Sequence, residues 1–312
     1  MKEIIVDNNN ANQKLHKLLN KILKEASMGF IYKMLRKKNI TLNDRKASGD
    51  EVLKSGDIIK IFFSDETFDK LSGSDNKSDD YSFLKELNSS IDIIHEDKDK
   101  IIINKPAGIL SQKAEENDVS INEMALSYLI NKGELSLEDF SVFHPSVVNR
   151  LDRNTSGIIV FAKNLRAAQY LSKEIKERTA TKLYMAVVKG QVKENLTVEG
   201  YLFKDEVLNK VTISDKPFKE AKPVKTAYEP VFYNENKDVT VLRIHLITGR
   251  THQIRAHLAY LNHPLIGDNK YGDKNLNRKL NARHQLLHAY HIEFSNGESF
   301  EAKLPEEINV YL

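Results

Sequence analysis

From Gln13 to Ala26 the apolar residues Leu15, Leu18, Leu19, Ile22, Leu23 and Ala26 recur at intervals of three and one, which puts them on one stripe of a helix. The other side is nearly all lysine, at positions 14, 17, 21 and 24. A second short helix follows, with Phe30, Ile31, Met34 and Leu35 turned inward and Lys33, Arg36, Lys37 and Lys38 outward. Residues 39–44 then alternate like a strand entering a turn, and Leu53-Lys54-Ser55-Gly56-Asp57 turns into the strand 58–62. Ahead of both helices, residues 1–7 read as a short strand.

Periodicity fades from 64 to 90, where Ser, Asp, Asn and Lys dominate. Such a composition buries too little apolar surface to offset the entropy of ordering, so this stretch is expected to be a flexible linker. Strands resume at 91–94 and 101–104. Beyond them strand-like runs (157–163, 182–188, 222–232, 238–247, 288–294) outnumber helices, the clearest helices being 165–178 and 251–262, the latter with Ile254, Leu258 and Leu261 on one face. The pattern predicts an α+β protein: a small basic domain at 12–63, a linker at 64–90, and a domain at 91–312 built on a mainly antiparallel sheet.

A chain of 312 residues suits this two-domain division, because single cores rarely grow past roughly 250–300 residues. The sequence has no cysteine, which excludes disulfides, cysteine-ligated zinc and thiol chemistry, and fits a cytoplasmic location. No apolar run reaches the roughly 18 residues of a membrane helix, and the charged N-terminus is unlike a signal peptide. The net charge of +3 says little, but its distribution says more. Residues 12–63 carry twelve Lys or Arg against five Asp or Glu, and residues 64–90 carry three against seven. Two basic helix faces in one small module suit RNA phosphates, and Lys33, Arg36, Lys37 and Lys38 are the candidate contacts.

The densest chemistry lies in Asn149-Arg150-Leu151-Asp152-Arg153-Asn154-Thr155-Ser156-Gly157, where a carboxylate stands between two guanidinium groups and ahead of a turn. Nearby positive charge favours the ionised form of a carboxylate, as a nucleophile or base requires. A glycosidase would need a second framed carboxylate, and these motifs offer one.

The octapeptide 150–157 resembles the signature of the pseudouridine synthases that modify ribosomal and transfer RNA, the RluA and RluC group. Residues 104–110 (Asn-Lys-Pro-Ala-Gly-Ile-Leu), 182–190 (Lys-Leu-Tyr-Met-Ala-Val-Val-Lys-Gly) and 246–258 (Leu-Ile-Thr-Gly-Arg-Thr-His-Gln-Ile-Arg-Ala-His-Leu) resemble that family's other motifs, in family order. The continuation through Gly267-Asp268 and Tyr271-Gly272-Asp273 also fits, so the likeness covers roughly residues 91–305. The basic module resembles the alpha-L RNA-binding domain shared with a small-subunit ribosomal protein.

The resemblance implies that Asp152 is the essential aspartate, that Tyr184 stacks on the target uracil, and that Arg250 pairs with the aspartate, with Arg255 as the alternative. It assigns Arg150 to extruding the target base. Lys105 and His252 are weaker candidates, for a structural role or phosphate contact rather than catalysis, and are grouped with Arg255 among RNA-facing residues. The reaction is redox-neutral, so no metal or organic cofactor is expected. The expected partner is ribosomal RNA, with transfer RNA as the alternative, and the expected state is a monomer. A non-catalytic RNA-binding assembly factor is the competing reading. The family usually has histidine at the position of Asn149 and near Gln112; this chain has neither, which touches the RNA contacts rather than the chemistry.

Overall fold

The computed structural model describes residues 1–6, 10–73, 83–87, 90–115, 118–136, 143–205, 210–218 and 220–312. The N-terminal module comprises β1 (Lys2–Ile5), α1 (Leu15–Ile22), α2 (Met28–Arg36), β2 (Ile40–Leu42), β3 (Arg45–Lys46), β4 (Ile58–Ile61) and α3 (Asp65–Ser72). Its sheet runs β1-β4-β2-β3. The leucine stripe of α1 and Ile31, Met34 and Leu35 of α2 bury against Ile40, Ile59 and Ile61, leaving the lysine faces in solvent as the periodicity predicts.

The module is larger than 12–63 at both ends. β1 pairs with β4, and residues 65–72, expected in the linker, are helical. Ser64 caps α3, Asp65 and Glu66 suit its N-terminal dipole, Gly73 ends it in the left-handed conformation, and Phe68 and Leu71 reach the module's core. Two apolar anchors suffice where the average composition argued against order. The rest of the expected linker lies largely outside the described residues (74–82 and 88–89), apart from α4 (Phe83–Glu86), whose Leu84 is buried in the second domain's core.

That domain continues with β5 (Ile93–Glu96), β6 (Lys100–Lys105), α5 (Ile121–Asn131), β7 (Ser146–Val147), β8 (Ser156–Ala162), α6 (Leu165–Glu177), β9 (Thr181–Lys189), β10 (Leu196–Asp205), β11 (Lys210–Ser214), β12 (Lys222–Asn234), β13 (Val239–Leu246), α7 (Gln253–Tyr260), α8 (Lys274–Lys279), β14 (Leu287–Glu293), β15 (Ser299–Glu301) and α9 (Glu306–Asn309). The sheet runs β11-β10-β12-β13-β9-β14-β8-β6-β5, with β7 and β15 on β8 and β14. Every described pairing in it is antiparallel except β14 with β8. The α+β, mainly antiparallel architecture is therefore as expected.

Both faces of the central strands are covered. In β8, Ile159 and Phe161 enter one core while Ile158, Val160 and Ala162 enter another beneath α6; in β9, Tyr184, Ala186 and Val188 face one side and Met185 and Val187 the other. The parallel contact between β8 and β14 is close enough to demand glycine. Gly157 has φ +111°, and a Cβ there would lie 2.2 Å from the Ala289 carbonyl oxygen. Helix α5, absent from the periodicity reading, is apolar around most of its circumference and so shows no stripe; its signal is the capping box of Ser120 and Glu123.

One charged cluster fastens α5 to the sheet. Glu96 accepts from Lys132 at 2.9 Å, Lys163 at 2.9 Å and the Tyr128 hydroxyl at 2.8 Å. Burial opposes its charge, but these bonds outweigh burial and bring the carboxyl from 4.5 down to about 2. A carboxylate with a depressed folded pKa stabilises above its unfolded value and loses that contribution as pH falls towards the folded one. Glu96→Gln is therefore expected to lower stability at neutral pH by on the order of 1–2 kcal/mol. Urea unfolding at stepped pH should show the difference from wild type shrinking between 4.5 and about 2; a difference that stays constant would exclude the ion cluster as its cause.

Candidate active site

The turn carrying Asp152 is clamped at its backbone. Asn149, between β7 and β8, donates to the Ile158 carbonyl and accepts from the Val160 amide, pinning the turn to the strand that follows it. The Ser111 hydroxyl donates to the Leu151 carbonyl and accepts from its amide, and Gln285 donates to the Thr155 hydroxyl. Beneath it Lys105, fully buried, donates to the carbonyls of Pro106 at 2.9 Å, Ile109 at 2.8 Å and Arg153 at 3.0 Å. Burial pushes this ammonium down to about 7, with the charge of Asp152 pulling the other way. Three converging acceptors match the three donors of the charged form.

The Asp152 carboxylate, about a quarter exposed, accepts from Arg255 at 2.7 Å. The other edge of the guanidinium grips Asp268, Nε to Oδ2 at 2.7 Å and one terminal nitrogen to Oδ1 at 3.0 Å. Asp268 is fully buried and also accepts from the amides of Lys270 and Tyr271. Burial works against its charge, but the Arg255 bonds outweigh it and hold the carboxyl below the usual range. The Tyr271 ring lies 5.4 Å from the guanidinium, and its hydroxyl accepts from the Val211 amide and meets His252 Nδ1 at 3.0 Å. His252 Nε2 stands 4.0 Å from Asp152, and burial pushes that imidazole below its ordinary range. Tyr184 is buried on β9; desolvation, then the charge of Asp152, raises its phenol, keeping it protonated near neutrality.

Four expectations change. Arg250 is not the partner of Asp152: His252, in the left-handed conformation at φ 52°, separates the turn holding Arg250 from α7, and only Arg255, three residues into the helix, reaches the carboxylate. Arg250 keeps a buried Nε with no hydrogen-bond partner. Arg255 is occupied by two carboxylates, Lys105 by three carbonyls, and His252 faces Asp152 and Tyr271, so none of the three is free for a phosphate; Arg255 stands instead where the alternative put it, against Asp152, and Lys105 has the structural contacts that were its other expectation. Arg150, Lys33, Arg36, Lys37 and Lys38 are all exposed, as an RNA-facing role requires. Ser111 and Asp268 carry no role in the sequence reading, and Asn149 appears there only as a departure from the family that touches the RNA contacts; Asp268 lies in the continuation through 267–273, but nothing in the spacing says that it meets Arg255.

A cavity of about 650 Å³ opens between the end of β6, residues 284–288 and the segment 303–309. It shares Lys105 and Gln285 with the clamp but is not lined by Asp152, Tyr184 or Arg255, and so is distinct from the ionic constellation.

The site is thus one carboxylate held in a clamped turn by a buried guanidinium, near a buried tyrosine, on a mainly antiparallel sheet. Residues 99–260 match the RNA pseudouridylate synthase family, and the chain belongs to it. It is an RNA pseudouridine synthase, an isomerase. It is 33% identical over 95% of its length to an uncharacterised RNA pseudouridine synthase of Mycoplasma genitalium, covering 90% of that protein. It is 30% identical over 97% of its length to the ribosomal large subunit pseudouridine synthase C of Vibrio parahaemolyticus, covering 92% of it. The fold is also that of the human RNA pseudouridylate synthase domain containing 1, with TM-score 0.55 at 22% identity over 70% of this chain and 84% of that one.

Proposed function

We propose that this chain converts specific uridines of large-subunit ribosomal RNA to pseudouridine, acting as a monomer without metal or organic cofactor. The observation that carries the chemical part is the carboxylate of Asp152 fixed by Arg255 at 2.7 Å in a turn clamped through its backbone. The reaction breaks the bond from uracil N1 to the ribose and remakes it from C5, so the base must be detached and turned while water is kept away. Asp152 attacks the nucleoside or takes its proton, and Tyr184 offers a protonated phenol and a ring face to the base. Extruding a base from folded RNA costs a few kcal/mol, and exposed Arg150, two residues before Asp152, is the side chain to fill the gap. The ribosomal target is supported by relatives named for the large ribosomal subunit that align over nearly the whole chain, N-terminal module included.

Mapping pseudouridine in ribosomal and transfer RNA from cells with and without the gene tests this reading. Loss of one or more large-subunit sites is expected. Loss confined to transfer RNA would replace the target, and no loss anywhere would favour the non-catalytic assembly factor.

The N-terminal module has the character of an RNA-positioning domain that reads phosphates and not bases. Replacing Lys33, Arg36, Lys37 and Lys38 together should weaken binding to long RNA. It should also reduce the slope of log affinity against log salt by up to roughly three to four if each contacts one phosphate. The single-turnover rate at saturating RNA should stay near wild type. A collapsed rate with unchanged affinity would mean that the module organises the active site instead.

A further inference from the structure

We propose that Asp268 is a positioning residue: it never meets the RNA, and it aims Arg255 at Asp152. The proposal rests on the reading of Asp152 as the reacting group. Asp268 is fully buried, and both oxygens of its carboxylate accept hydrogen bonds, four in all. Oδ2 receives Arg255 Nε, while Oδ1 receives a terminal guanidinium nitrogen and the amides of Lys270 and Tyr271. The two amides fix the carboxylate to the backbone, the carboxylate fixes the plane of the guanidinium, and the free edge of that plane points its remaining nitrogen at Asp152. Tyr271 closes one face of the guanidinium and is itself held at its hydroxyl by the Val211 amide.

Stability alone does not account for this arrangement. A buried ion pair gains little over apolar residues of the same volume, because desolvation of two charges offsets their attraction. What the pair supplies is direction. A forked guanidinium gripped on one edge by a carboxylate has one orientation, and a group at a reacting centre needs that more than it needs charge. Gly272 completes the cradle: a Cβ there would lie 2.3 Å from the Asp268 carbonyl oxygen, so the turn wraps tightly around the carboxylate it serves.

Asp268→Asn keeps the shape but sets an amide N–H against the Nε–H of Arg255. The expected result is a single-turnover rate reduced on the order of a hundred-fold at saturating RNA, with RNA affinity within about two-fold of wild type and a cooperative melt retained. If the role runs through Arg255, the loss must vanish when that arginine is already disturbed. Asp268→Asn added to Arg255→Lys should then cost little beyond Arg255→Lys alone, whereas a merely structural role would make the two losses add. Should the Asn variant not fold, Asp268→Glu keeps the charge and pushes the guanidinium outward, and should be slow for the same reason.

A full rate in either folded variant, or additive losses in the pair, would overturn the inference. Turnover by Asp152→Ala would overturn the underlying reading as well. An inactive Asp152→Ala beside a fully active Asp268→Asn would overturn this inference alone.

Discussion

Asp152→Asn and Asp152→Ala are expected to fold, to bind RNA near wild-type affinity and to lose pseudouridine formation by on the order of 10⁴-fold or more. The expectation of intact folding comes from the clamp, which holds the turn by the carbonyls of Leu151 and Arg153, the amide of Leu151 and the Thr155 hydroxyl, none of them on the Asp152 side chain. Arg255 loses one acceptor and keeps Asp268. The expectation of lost chemistry follows from the other carboxylate on Arg255 being unable to substitute: Asp268 is sealed in the fold and its oxygens are occupied. Measurable turnover by the Ala variant in a single-turnover assay would remove Asp152 from its role.

Arg255→Met should be the most damaging change that touches no RNA. It strands the charge of Asp268 in a site with no solvent, a situation that costs about 3–5 kcal/mol, and it unties Asp152 as well. The pH dependence has a definite sign. Without its guanidinium, burial raises the Asp268 carboxyl above its unfolded value. A raised carboxyl costs nothing below the unfolded pKa, near 4, and costs progressively more as pH rises. The gap from wild type in a denaturant titration should therefore be widest near neutrality, narrow towards about pH 4 as the stranded carboxylate of the variant takes up a proton, and narrow further below it as the wild-type carboxyl, held low by Arg255, does the same. Arg250→Ala should spare stability to within about 1 kcal/mol, as substitutions outside such networks do. If Arg250→Ala were inactive and unstable while Arg255→Met was tolerated, the assignment made from sequence would be restored.

The contrast between these arginines shows where sequence stopped being informative. The strands β5, β6, β8, β9, β12, β13 and β14 could be read from strand-like runs bounded by turn residues, and α1, α2 and α6 from their helical patterns; β10 and β11, half exposed and broken by polar residues, and the short β7 and β15 were not expected. Helix α5 had no stripe to show, being buried nearly all round, and α3 was hidden by the polarity of the residues beyond it. Asp152 was legible because its neighbours Arg150, Thr155 and Gly157 make a local pattern. Its guanidinium was not, because both Arg250 and Arg255 sit in the same motif and the choice turns on one backbone reversal at His252, a residue type enriched in the left-handed region but far less diagnostic of it than glycine. Asp268, 13 residues from Arg255 in sequence, and Ser111, 40 from Leu151, meet their partners only in three dimensions.

The same distances order the assembly of the protein as it is made. The N-terminal module closes within the first 73 residues, so it can fold early in synthesis. The turn of Asp152 appears halfway, but its guanidinium lies 103 residues downstream, and Gln285, which holds Thr155, lies 130 residues downstream. Gly157 lies flush against Ala289 of a strand that is among the last to form. A growing chain thus carries the Asp152 carboxylate long before it carries the guanidinium and the amide that fix it and its turn.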